Sequence, residues 1–374
     1  MSYFETGSAA DVNDMLGKLR TALTANGYTL AYNDKEGATG GMRTHLTKGN
    51  LVVNLRTGYR NELPVLNEAE RTNRLQWSWN YYYYESRNIY YSANWMCMNL
   101  STGLDLGRSW HNQPGAPDAS VSRGLAVMIT AATSISRYWL FILDNPDAVF
   151  LIMETRPNKF EHLAWGNLIL NQAIQSGGEW FAGSRQFTAH FGGIDAPFWG
   201  NTVAGSNWGS DVKAFFRVQD TRWTQPDQGD GWLQGITTHP VPNSYGSDAF
   251  FGSVGVPQPD QSISNPSSAG FRNAVNTTYL TAEGRSILHP CACWKQMVGG
   301  GYTLIGTIPH MAFLSMQPYL AGDAVSGVGE TYLAFPGHAR NSPWDIYTWG
   351  SSSGNPASGE NYNHYGVGFA VRRP

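Results

Sequence analysis

Two groups of residues in this chain have types and spacings that invite chemistry. The first is His289-Pro290-Cys291-Ala292-Cys293. Zinc takes about four nitrogen or sulfur ligands in a tetrahedral array, and on a strand Cys291 and Cys293 share a face. No second CxxC or HxxxH completes the set, and nothing in the sequence brings Cys97 alongside. The expectation is therefore buried structural thiols without metal. The second group is Glu154 and Glu161, on two runs that read as neighbouring strands. Two carboxylates at glycosidase separation act as acid and nucleophile. The alternative, and the expectation, is a pair of surface carboxylates on a hairpin. The chain carries no GxSxG elbow, no HExxH and no P-loop, and its nine His are scattered away from any obvious nucleophile. No catalytic residue, metal ligand or cofactor is assigned, and the chain reads as a non-enzyme.

A third group is aromatic. Residues 76–91, QWSWNYYYYESRNIYY, hold eight rings: Trp77, Trp79, Tyr81, Tyr82, Tyr83, Tyr84, Tyr90 and Tyr91. Trp77 and Trp79 alternate with polar neighbours, as on a half-buried strand. Tyr81 to Tyr84 then put rings on both faces. Soluble monomers seldom expose a contiguous apolar patch of more than a few hundred Å², so these residues are the candidate interface, between subunits or between two parts of the chain. Two other readings are an ordinary sheet edge with cross-strand pairs and a stacking platform for sugars.

Composition bounds the partners. Charged residues are 14% of the 374, against about 25% in an average chain, while aromatics reach 13% and there are 42 Gly. That balance fits a β-rich protein that buries surface against copies of itself. A net charge of −3 supplies no cationic field for a phosphate backbone, so direct nucleic-acid binding is not expected. Three Cys do not make a complete disulfide framework, which fits folding in a cytoplasm. The start, MSYFETGSAADVNDML, lacks the basic and apolar regions of a signal peptide. No run of 18 apolar residues exists, and no membrane span is expected.

The elements that must position these residues are mainly β. Near the N-terminus Ser8 is the expected helix cap with Asp11 in the first turn. Val12, Met15, Leu16, Leu19 and Leu23 form one apolar stripe, and Asn26-Gly27 is the stop. Strands are predicted at 28–33, 42–47 and 51–57, with a turn at Lys48-Gly49-Asn50. These make a small αβββ unit over residues 1–60, with barely enough core to stand alone and expected to dock on the rest of the chain or on a neighbour. Residues 61–75 read as a linker or exposed loop. The β-rich body spans 76–374, with a subdomain break sought near 175–210. Its strands are predicted at 88–100, 138–143, 148–155, 159–170, 212–218, 231–237, 287–293, 302–308, 331–335 and 365–372. Polar turns at Asp144-Asn145-Pro146-Asp147 and Arg156-Pro157-Asn158 join three of them into an antiparallel meander. Long Gly/Ser/Asn-rich loops follow, notably 238–272. The fold class is mainly β, as antiparallel sheets or a sandwich, with a small α+β N-terminal unit.

The opening SYFETGSAADVNDMLGKLRTALTANGYTL resembles the start of a group of tailed-bacteriophage virion structural proteins. Their pattern is an aromatic followed by ETG, a polar cap and a short helix; Phe4-Glu5-Thr6-Gly7 and residues 11–28 carry it here. Trp110-His111-Asn112-Gln113-Pro114-Gly115-Ala116-Pro117 is similar to a W-x-NQPGAP loop of the same group. Asp144-Asn145-Pro146-Asp147-Ala148-Val149, followed by Phe160-Glu161-His162-Leu163-Ala164-Trp165-Gly166, is similar to its DPDAV…FxHLxFG meander. The closing GVGFAVRR at 366–373 has the same flavour. The matched pieces between residues 3 and 170 keep their order, with unmatched stretches between them. From 171 onward the chain departs from the pattern. The resemblance implies a component of a phage tail, neck or collar, or baseplate. Such a protein is made in the host cytoplasm and located in the virion, with copies of itself and other virion proteins as partners. It implies no activity and no catalytic residue. The competing function is a carbohydrate-binding module for host attachment, with glycan stacked on the Trp and Tyr rings.

Overall fold

The chain begins with a strand, β1 (Tyr3–Ala9), and turns directly into α1 (Val12–Ala25), the one helix among the described residues. The computed structural model describes residues 2–36, 40–59, 94–117, 124–131, 134–156, 159–171, 177–183, 185–188, 194–195, 214–218, 231–234, 288–296, 302–315, 318–336 and 367–374. The helix cap is Asp11, not Ser8 as the sequence led us to expect. Asp11 Oδ1 accepts the Asp14 N–H at 2.8 Å, and the Asp14 carboxylate accepts the Ala10 N–H at 2.8 Å, so two otherwise orphaned donors are satisfied reciprocally. Ser8 cannot serve because β1 keeps residues 3–9 extended along its partner strand. The stop is as expected: Gly27 adopts φ +89°, and the N–H groups of Asn26 and Tyr28 return to the Leu23 carbonyl. The predicted stripe is buried, with Val12, Met15, Leu16, Leu19, Ala22 and Leu23 all turned inward.

Next come β2 (Thr29–Lys35), β3 (Met42–Lys48), β4 (Leu51–Gly58), β5 (Asn94–Ser101) and β6 (Gly124–Ala131). The central meander is β7 (Ile135–Leu143), β8 (Ala148–Arg156) and β9 (Lys159–Asn167), followed by β10 (Ile169–Leu170), β11 (Gly177–Gly183), β12 (Arg185–Thr188), β13 (Ile194–Asp195), β14 (Ala214–Val218) and β15 (Gly231–Gln234). The last group is β16 (His289–Gln296), β17 (Tyr302–Ser315), β18 (Ala324–Ser326), β19 (Thr331–Pro336) and β20 (Val367–Arg372). Residues 61–75 and 238–272 lie outside the described residues, as does much of 175–210. No helix among the described residues is long and apolar enough to cross a membrane.

The strands form three antiparallel sheets. Sheet A runs β1-β7-β8-β9-β11-β14, sheet B runs β13-β12-β6-β5-β4-β3-β2, and sheet C runs β15-β16-β17-β20-β19-β18 with β10 added to β17. Sheet A is the middle layer, and alternation along its strands shows why. Leu140, Ile142, Val149, Leu151, Met153, Leu163, Trp165 and Phe181 pack against α1 and sheet B. Their neighbours Trp139, Phe141, Leu143, Phe150, Ile152, Phe160, Ala164 and Trp180 pack against Ile308, Met311, Leu333, Phe335, Phe369 and Val371 of sheet C. A strand buried on both faces must be apolar at consecutive positions, which is what YWLFIL in β7 and AVFLIM in β8 supply. The helix and β2–β4 form as expected, and β4 continues the sheet by pairing with β5 from Val52↔Ser101 to Gly58↔Trp95.

The turn between β7 and β8 is held from both outer sheets. Lys48 of β3 reaches Asp147 Oδ1 at 2.8 Å and lies over the Tyr28 ring at 5.2 Å. The Tyr28 hydroxyl in turn accepts the Trp165 indole N–H at 3.2 Å. From the other side, His310 Nε2 meets the Pro146 carbonyl at 2.8 Å. His310 can reach because β17 is irregular there: Pro290 pairs with Ala312 while Cys291 pairs with Ile308. His310 takes φ +60° within that bulge, which re-aims its side chain.

Candidate functional site

The densest polar constellation among the described residues lies on the face of sheet B turned away from sheet A. Alternation along β3, β4 and β5 puts Arg43, His45, Asn54, Arg56, Asn99 and Ser101 on that one face, and all are buried. Loop 102–117 closes over them with Trp110 and Gln113, both 2% exposed. Buried polar groups of this density are tolerated only when each finds a partner.

The donors and acceptors form a directed chain. A guanidinium can only donate, so Arg43 Nε–H donates to His45 Nε2 at 2.8 Å. That leaves His45 Nδ1 to carry the proton and donate to Asn54 Oδ1 at 2.7 Å. Asn54 Nδ2 donates to Asn99 Oδ1 at 3.0 Å and to Ser101 Oγ at 2.9 Å. Asn99 Nδ2 donates onward to the His111 carbonyl at 2.9 Å, and Ser101 Oγ to the Gly103 carbonyl at 3.0 Å. Arg43 also donates through Nη2 to the Arg108 carbonyl at 2.7 Å. Within the loop, Gln113 accepts the Asp105 N–H and donates to the Ser109 carbonyl. Burial, with Arg43 adding a smaller push, depresses His45 to about 4, so the imidazole is neutral at pH 7. Both ring nitrogens are committed to neighbours. The arrangement orders the loop, and its exposed tip at 105–109 is set by buried side chains beneath it.

Further along the same face, the Arg56 guanidinium pairs with Glu36 at 3.0 Å and stacks over Trp95 at 5.5 Å. Gly58 makes room for that indole, since an added Cβ would sit 2.1 Å from Trp95 Cζ2. Cys97 pairs in register with Arg56 and is fully buried. Burial raises its thiol well above the ordinary value despite Arg56 nearby.

The structure separates the residues that sequence spacing had grouped. Cys97 is a buried thiol on sheet B, whereas Cys291 is buried in the core between sheets A and C. Sheet A stands between them. No group of three metal-ligating side chains gathers among the described residues. Glu154 and Glu161 are on adjacent strands, but Glu154 pairs with Phe160 and Met153 with Glu161. The two carboxylates therefore leave opposite faces of sheet A and do not flank a common space. The expected surface pair is also not found: Glu161 is 4% exposed, on the face turned toward sheet B. Trp77, Trp79, Tyr81, Tyr82, Tyr83, Tyr84, Tyr90 and Tyr91, the candidate interface, lie outside the described residues.

Sequence reasoning missed the network on sheet B. Its signal was present as polar residues two apart: Arg43 and His45, Asn54 and Arg56, Asn99 and Ser101. Period-two polarity ordinarily marks a solvated strand face, and only the loop folded above it makes this face interior.

No family model and no curated protein matches the chain.

Proposed function

We propose that the chain is a structural component of a bacteriophage virion, assembling in many copies on the tail, the neck or collar, or the baseplate. The observation that carries this reading is the ordered resemblance of its N-terminal half to such proteins. Support comes from where the resembling segments lie. Phe4-Glu5-Thr6-Gly7 is on β1, at the edge of the middle sheet. The Trp110 to Pro117 segment is the loop clamped over sheet B. The Asp144 to Gly166 segment holds the β7–β8 turn, β8 and most of β9 in the middle sheet. A family pattern concentrated at frame positions is what shared architecture leaves in a sequence. The low charge and the aromatic segment 76–91 fit a subunit with much of its surface against neighbours.

A mass-spectrometric inventory of purified particles from the source phage tests the reading. Stoichiometric recovery of the chain is expected, and its absence from particles overturns it. Tyr82→Ser combined with Tyr84→Ser should leave the subunit folded but lower its incorporation. A soluble subunit that binds a glycan array selectively, and loses binding with Trp77→Ala, would instead favour the host-attachment module.

A further inference from the structure

We propose that the seam between sheets A and C is an acid-sensitive joint: His162 and His310, as neutral imidazoles, tie sheet C to the middle sheet, and their protonation releases it. His162 projects from β9 into the seam and is 1% exposed. Its ring meets Phe369 of β20 edge-on at 5.0 Å, and it hydrogen-bonds the backbone of Pro336 at the end of β19. His310 leaves the bulge of β17 and reaches the Pro146 carbonyl in the β7–β8 turn at 2.8 Å. The two side chains cross the seam in opposite directions, one from sheet A into sheet C and one from sheet C into sheet A. Much of the remaining contact is rings and aliphatics: Trp139 on Phe335 at 5.2 Å, Phe141 on Phe335 at 6.0 Å, and Ile308, Leu333 and Val371 around them.

An imidazolium has no good place there. Around His162 stand Phe369, Ile152 from the paired strand and the Pro336 backbone, while its neighbour Glu161 lies on the other face of β9. His310 is faced by Arg372 of β20, by Glu330 ahead of β19, and by the Asp144 and Pro146 backbone of the turn. Arg372 opposes a charge on His310, and Glu330, itself paired with Arg372 at 2.9 Å, together with the Pro146 and Asp144 backbone offsets only part of the cost of burial. Burial is the leading cause that depresses both histidines, His162 to about 3. Once the seam opens, each ring meets water and returns to about 6.5.

The sign follows from linkage. A group whose value is depressed in the closed state supports closure fully above about pH 6.5 and progressively less as pH falls. Each histidine then shifts the closed-to-open equilibrium toward opening by up to about tenfold per pH unit. His45 is also depressed, but it acts on loop 102–117 at the far side of sheet B and not on this seam.

Hydrogen exchange read by mass spectrometry from pH 7 to pH 4.5 tests the joint, with each rate corrected for intrinsic exchange at that pH. Amides of β19 and β20 should show an opening equilibrium that rises about tenfold or more per pH unit, while those of β8 stay protected. His162→Phe, which keeps an aromatic in the seam, and His310→Asn should each reduce that slope by up to about tenfold per pH unit. If His162→Phe yields no folded protein, the His310→Asn slope decides by the same criterion. The proposal is overturned if β8 opens together with β19 and β20, if their opening does not change with pH, or if the folded variants keep the wild-type slope.

Discussion

Replacing Asn54 with Ala removes the branch point of the network on sheet B. The Asn54 amide accepts from His45 and donates to both Asn99 and Ser101 in a site with no solvent exposure. Truncation strands the His45 Nδ1–H, while Ser101 keeps its bond to Gly103. A buried group left without its partner costs about 1–3 kcal/mol. The expected loss is therefore about 1–3 kcal/mol, read by urea unfolding at pH 7. A loss under about 1 kcal/mol would mean that water or rearranged side chains replace the amide, and the account of the network would fail. Asn54→Asp asks a sharper question. In the wild type His45 is held near 4 against about 6.5 when unfolded. Its contribution, about 3 kcal/mol, is present above pH 6.5 and is lost as pH falls toward 4. A carboxylate at position 54 favours the imidazolium and lifts His45 above its unfolded value. The contribution in the variant is then present below pH 6.5 and lost as pH rises through the raised value. The stability gap between wild type and variant should therefore shrink on going from pH 7 to pH 5. A gap that stays constant, or widens, contradicts the assignment of His45 as a neutral donor to Asn54.

Leu19 is fully buried between α1 and the sheets, so Leu19→Ala should cost about 2–5 kcal/mol in chemical denaturation, and Leu19→Asp should give no soluble folded subunit. Gly115 sits at φ +73° with an added Cβ only 2.1 Å from Thr102 Oγ1; Gly115→Ala should cost about 1–3 kcal/mol and show as a lower Tm with faster proteolysis of loop 102–117. Cys97 should resist a thiol-specific disulfide reagent at pH 8 in the folded protein and react fully in urea, since burial raises its thiol well above the ordinary value; rapid labelling of the folded chain would contradict its placement.

Much of the fold was legible because its cues are short-range. The apolar stripe from Val12 to Leu23, the Asn26-Gly27 stop and the turns at Lys48-Gly49-Asn50 and Asp144-Asn145-Pro146-Asp147 are read from neighbouring residues, and each lies where the structure has it. Ser8 was misassigned because a serine ahead of a helical stripe looks like a cap whether or not the preceding residues are already taken by a strand. The meander was recognised but its depth was not. The unbroken apolar runs of β7 and β8 already required cover on both faces, and that cue was available in the sequence. The site was the least legible part. Arg43, His45, Asn54 and Asn99 come from three strands and look like an ordinary wet face until the loop that follows β5 folds back and seals them.

What the sequence determined by itself, the helix cap and the strands β1, β6 and β11 apart, is therefore the helix with its stop, the β2–β4 run, the meander with its tight turns, and a β-rich chain poor in charge. These depend on backbone sterics and on contacts a few residues apart, which do not change with the rest of the fold. Only the tertiary structure decided that β1 joins sheet A while β2–β4 belong to sheet B, and that β12 returns to pair with β6. It also decided that Cys97 and Cys291 lie on opposite sides of the middle sheet, and that Glu154 and Glu161 face apart. Strand pairing depends on which edges remain free and which apolar faces match once the local elements exist. A one-residue change of register sends every side chain to the other face, so the assignment of a residue to core, seam or surface is made by distant segments and not by its neighbours in the chain.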